Sequence, residues 1–135
     1  KPARDLAITK LQEGMTIFTL ETNVSSLGSI EEGMYADVHV SISQKKDIPI
    51  TGILIRHAEV ISIKDHKGLS LNDEQSSKVP YFIELGINQN DIEYLSLASS
   101  LGEIRLFPSV DSYKPDKSTL EKDSKVSQYL KSLQE

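Results

Sequence analysis

Residues 81–107 read YFIELGINQNDIEYLSLASSLGEIRLF, and the order of periodicities along them decides the fold. Tyr81-Phe82-Ile83-Glu84-Leu85 is an aromatic and β-branched run that follows Pro80, a position where a strand tolerates proline. Asn88 then offers a side-chain oxygen to a helix start, Asp91 puts an acid in the first turn, and Gly102 stands at the stop. Between these signals Ile92, Leu95, Ala98 and Leu101 recur at helical spacing, widened by Tyr94 and Leu97, so the pattern predicts a helix over 88–101. Its apolar face must lie on a sheet, which makes Ile92, Leu95, Ala98 and Leu101 expected core residues. Glu103-Ile104-Arg105-Leu106-Phe107 returns to period two and is closed by Pro108. Strand, packed helix and strand point to an α+β fold with a mostly antiparallel sheet and one packed helix.

The flanking segments extend the sheet. Met34, Ala36, Val38, Val40 and Ile42 alternate with Tyr35, Asp37, His39, Ser41 and Ser43, the cleanest strand pattern in the chain. Residues 15–20 alternate as well after the break at Gly14, with Met15, Ile17 and Thr19 sharing a face. Residues 48–63 carry Ile53, Ile55, Val60, Ile61 and Ile63, the enrichment of one long strand or two, with Gly52 expected at a bulge. Residues 64–78 are polar apart from Leu69 and Leu71 and read as an exposed, mobile loop. Beyond Pro108 the composition shifts to Ser, Lys, Asp and Glu, so the core is expected to end there. Ser118 and Glu121 are spaced as a capping box, and Val126, Tyr129, Leu130 and Leu133 form an apolar stripe, which predicts a short helix over 118–133. That stripe either folds back on its own domain or docks a partner; on the second reading those four residues are the candidate partner-binding set.

Composition narrows the function classes. The chain has 135 residues, a net charge of −5 and no cysteine. An acidic average field repels a phosphate backbone, so nucleic acid is not an expected partner. Without cysteine there is no thiolate nucleophile, Cys-based zinc site, iron–sulfur cluster or disulfide, and the redox compartment stays open. The longest apolar stretch, 48–55, contains Pro49 and Gly52 and falls far short of the ~20 residues of a membrane-spanning helix. This chain is therefore not expected to cross a membrane, and any membrane association is expected only through a segment missing from it. No G-x-S-x-G, G-x-G-x-x-G or phosphate-loop pattern occurs; Ser25-Ser26-Leu27-Gly28-Ser29 comes nearest and reads as a loop. Asn23-Val24-Ser25 has the form of a glycosylation acceptor and nothing more. Of the three histidines, only His57 has a carboxylate two residues on, Glu59, and that pair has no third metal ligand. His39 belongs to a polar strand face, and Glu31-Glu32, Asp73-Glu74 and Lys45-Lys46 are expected to be solvated. No catalytic, cofactor-binding or metal-binding residue is nominated, and the expectation is a non-enzyme.

Several stretches, in order, resemble the Flp pilus assembly family known as CpaB or RcpC, of tight-adherence (Tad) and type IVb pilus systems. The resemblance runs from Gly14 to Phe107. It rests on Gly14-Met15 opening a strand, on EGMYADV over 32–38, on GILIRHAEVISI over 52–63 and on the strand–helix–Leu-Gly–strand run over 81–107. Asn88 and Gln89 stand where that family has threonine and proline. The resemblance implies three parts: the end of a β-rich SAF-like segment of the β-clip type over 1–33, an RcpC-like α+β domain over 34–108, and a C-terminal tail with a short amphipathic helix over 109–135. It implies a periplasmic protein associated with the bacterial cell envelope, contacting the pilus secretin or other pilus components, with homo-oligomerisation allowed. The alternative from another class is a module binding carbohydrate, a cell-wall glycan, for which the chain has no Trp, five Tyr and three Phe.

Overall fold

The computed structural model describes residues 11–22, 27 and 29–135. Its elements are β1 (Met15–Glu21), β2 (Tyr35–Ile42), β3 (Ile50–Lys64), β4 (Phe82–Asn88), a 3-10 turn (Gln89–Asp91), α1 (Ile92–Leu101), β5 (Glu103–Pro108), β6 (Thr119–Leu120) and α2 (Lys125–Gln134). The strands form one antiparallel sheet in the order β1-β4-β3-β2-β5, with β6 paired to β3 beyond the end of β4. Mostly antiparallel, with two helices, the fold is of the α+β class. The Asn23-Val24-Ser25 triplet lies outside the described residues.

Period two explains which side chains form the core. Ala36, Val38, Val40 and Ile42 of β2, Ile83, Leu85 and Ile87 of β4 and Leu106 of β5 all point to one face, where Leu95 and Ala98 of α1 cover them. In β1 the residues opposite Ile83 and Leu85 are Leu20 and Phe18, so these two face the helices. Met15, Ile17 and Thr19 do share a face, and it is the other one; Ile17 lies opposite Gly86. The helix start follows the sequence, since Asn88 Oδ1 accepts from the Asn90 amide at 3.0 Å. Leu101 is a correction: it remains 43% exposed, because the helix ends there and the chain turns away at Gly102. Gly102 itself is a packing requirement, since a Cβ on it would stand 2.3 Å from the Ser41 carbonyl oxygen.

Two more expectations change, each for a physical reason. Gly52 is in regular register with Val40 and is no bulge; it leaves room for Ser124, whose Cβ would lie 3.4 Å from a Cβ at 52. The capping box is not formed. Ser118 is buried and its hydroxyl accepts from the Asn88 amide at 2.8 Å, while Ser124 caps α2 by accepting from Ser127 N at 3.1 Å. β1 pairs with β4 along its whole length and α2 packs on β3, so both lie on the same core as the central strands.

The 64–80 connection is tied down by Asp65, a side chain with no solvent exposure. Asp65 Oδ1 accepts from the Lys67 and Leu69 amides at 2.9 and 3.0 Å, and Oδ2 accepts from the Ser77 amide at 3.1 Å. Lys78 closes the loop from outside, its ammonium donating to the carbonyls of Leu71 and Asp73. The polar composition that reads as mobility is thus the composition of a loop folded around one carboxylate. Burial raises the Asp65 pKa, but the amides of Leu69, Ser77 and Lys67 and the side chain of Ser76 outweigh it and hold the carboxyl at about 2.

Two outcomes follow. Leu130 of α2 is fully buried, so Leu130→Ala should destabilise the chain by about 2–5 kcal/mol in urea denaturation. A loss below about 1 kcal/mol, the range of surface changes, would detach α2 from the core. Because the folded pKa of Asp65 is depressed, its contribution is complete above about pH 4 and is lost as the pH falls toward 2. Urea midpoints of the wild-type chain and of Asp65→Asn should therefore differ most at pH 5 and converge near pH 2, and a gap independent of pH would contradict the assignment.

Candidate functional site

The most elaborate polar constellation lies on the outer face of the sheet, where β3 is irregular. Ala36 pairs with Ala58 and Val38 with Ile55, so Arg56 and His57 together oppose Asp37. His57 absorbs the extra residue with φ of 62°, a left-handed conformation unusual for a side chain other than glycine. Asp37 fixes it: Oδ1 accepts from the His57 amide at 3.0 Å and from the Ser109 hydroxyl at 2.7 Å, and Oδ2 lies 3.6 Å from Arg56 Nη1. The Arg56 Nε in turn donates to Glu121 Oε1, which ties the segment before α2 to the same spot.

The His57 ring is held on two sides. It stacks on Tyr35 with centroids 4.4 Å apart and planes at 13°, and its Nε2 is 2.7 Å from the Lys114 carbonyl. A carbonyl only accepts, so Nε2 carries the proton. Tyr35 is buried, and burial together with the nearby Glu59 charge pushes its phenol up from the ordinary value. The strap 109–118 crosses this ring pair with its backbone fixed, for Tyr35 N donates to Ser112 O at 2.6 Å and Ser109 N donates to Tyr35 O at 3.0 Å. The strap's other side carries Val110 and Tyr113, 87% and 67% exposed.

Ser109, His57 and Asp37 are the residue types of a nucleophilic triad, but the wiring is different. The Ser109 hydroxyl donates to Asp37, and the imidazole is committed to a main-chain carbonyl, so the ring is not positioned as a base on the serine. Its chemistry is that of a clamp: one carboxylate gathers an amide and a guanidinium from β3 and a hydroxyl from the residue after β5. The His57–Glu59 pair does not form a metal edge, since the left-handed residue breaks the alternation that would have aligned them. Among the described residues no group of three or more His, Asp or Glu could hold a metal ion.

The sequence-nominated partner set is divided by the fold. Val126 and Leu130 have no exposure and belong to the core, Tyr129 is partly buried against it, and Leu133 is 48% exposed at the end of α2. The stripe thus folds back on its own domain, because a ten-residue helix next to an uncovered sheet face gains most by covering it. Asp37, Arg56, Ser109 and Glu121 were not nominated; the available signal was the lone acid of β2, between Ala36 and Val38. Glu32 is not simply solvated, as its Oε2 accepts from the Ile63 amide at 2.9 Å. His39 is partly covered, edge-on to Phe107 at 5.7 Å.

No protein-family model matches the chain, and no curated protein or solved structure matches it.

Removing the clamp carboxylate leaves the His57 amide and the Ser109 hydroxyl without their acceptor and Arg56 with Glu121 alone. Asp37→Ala should therefore destabilise by about 1–3 kcal/mol and loosen the strap, read as faster amide exchange at Tyr35 and Ser109. Unchanged exchange at both positions would show that Asp37 does not organise this region.

Proposed function

We propose that this chain is a non-enzymatic assembly protein of a Flp, type IVb pilus system, periplasmic at the bacterial cell envelope, acting by contact with the secretin or another pilus component. Two things support the reading. The run that carries the family resemblance, 81–107, is β4, α1 and β5 in that order, with Leu101-Gly102 at the turn between the last two. The observation on which the contact rests is the strap: Val110 and Tyr113 are large, apolar and exposed, yet they sit on a backbone held by Tyr35, Asp37 and His57. Exposed anchors on a rigid support lose little conformational entropy on binding, which is the physical signature of an interface rather than of a loose loop. The partner surface on this reading is the strap and not the α2 stripe.

A photo-crosslinking residue at Tyr113, introduced in piliated cells of the source, tests this. Adducts with the secretin or another pilus component are expected, and they should be absent with the same probe at Lys122, on the helix side. Adducts with a glycan or with no envelope protein, or identical adducts from both positions, would overturn the proposal.

A further inference from the structure

The outer edge of β5, where the sheet ends, carries a second reading. Ser109 N donates to Tyr35 O, and the β2–β5 register pairs Asp37 with Phe107, His39 with Arg105 and Ser41 with Glu103. In an antiparallel ladder hydrogen-bonded pairs alternate, so these odd-numbered residues direct their backbone groups to β2. Ile104 and Leu106 therefore direct theirs outward, and among the described residues β5 pairs with no strand on that side. The side chains alternate the other way: Ile104 and Leu106 face the core, while Glu103, Arg105 and Phe107 are exposed.

We propose that β5 pairs antiparallel with β5 of a second copy about a two-fold axis at Ile104, joining two sheets into one. The charges select both the occupant and the register. With Ile104 opposite Ile104, Glu103 of each copy faces Arg105 of the other, twice per dimer, and like charges are never opposed. A register centred on Arg105 opposes two guanidinium groups. One centred on Leu106 brings Pro108, which has no N–H, into the ladder. In the register centred on Ile104 only residues 103–105 of each six-residue strand lie opposite one another, so the interface is small and association weak, with a dissociation constant of about 100 µM.

Sedimentation equilibrium of the 135-residue chain from about 1 µM to 1 mM is the test, spanning the range expected for so small an interface. The wild type should pass from 15.0 kDa to twice that mass with concentration. Glu103→Arg and Arg105→Glu, both at exposed positions, should each weaken self-association at least about tenfold, since each creates two like-charge pairs. Mixing the two variants should restore dimers, because the first then presents two guanidinium groups along its edge and the second two carboxylates, each facing its opposite across the axis. That rescue also shows that both variants are folded. A wild-type chain monomeric throughout, a dimer that survives both single reversals, or a mixture that remains monomeric would overturn the proposal. The strap carries Val110 and Tyr113 and not the edge of β5, so the outcome is independent of the crosslinking result.

Discussion

A fifteen-residue strand cannot stay regular while pairing with β2 on one side and with β4 and β6 on the other, and the way β3 breaks its regularity sets the rest of the molecule. The register with β2 shifts near Leu54 and again at Arg56 and His57, and the register with β4 shifts between Val60 and Ser62. These shifts twist and bend the strand so that its first half lies beside β2 under α2 and its second half beside β4. The costliest is at His57, where a bulky ring side chain takes a positive φ, and Asp37 offsets that cost with a charge-assisted bond to the same amide. Because the carboxylate also holds Ser109, the local solution in β3 becomes the anchor for the strap and, through Arg56 and Glu121, for the approach to α2.

The same logic accounts for polar side chains elsewhere. Buried Asp65 accepts from main-chain amides of the loop that follows β3, and Glu32, an exposed residue, accepts from the Ile63 amide near the end of that strand. On the outer face, Lys64 and Ser62 both reach Glu84, at 3.1 and 2.5 Å, across the β3–β4 pair. No buried side-chain nitrogen or oxygen among the described residues lacks a partner. Polar side chains in this fold therefore serve geometry: they let a sheet with few glycines make sharp local departures from its ladder.

Much of this was legible in the sequence wherever a period ran uninterrupted. The alternation of Met34 to Ile42 gave β2 and its inward face, and the Ile92, Leu95 and Ala98 spacing gave α1 between Asn88 and Gly102. What could not be read were positions decided by long-range partners. Nothing local marks His57 as left-handed, because the reason is Asp37, twenty residues away. Ser118 has the spacing of a cap but is claimed by the Asn88 amide across the fold. The 64–78 segment looks mobile because a polar loop and a loop wrapped on one carboxylate share a composition. In the same way an amphipathic stripe at 126–133 does not say whose surface covers it; the groove over β3 beside Gly52 decides that.

If the Asp37 clamp and the β3 register hold the flanks to the centre, the chain has one cooperative core reaching from β1 to α2. Native-state hydrogen exchange under increasing denaturant measures this directly. The slowest amides of β1, β3, β4 and α2 should merge into a single isotherm with the free energy of global unfolding. Exchange of the β1 or α2 amides through a separate opening of clearly lower energy and weaker denaturant dependence would contradict it, and would restore a molecule built of a central domain with loosely attached ends.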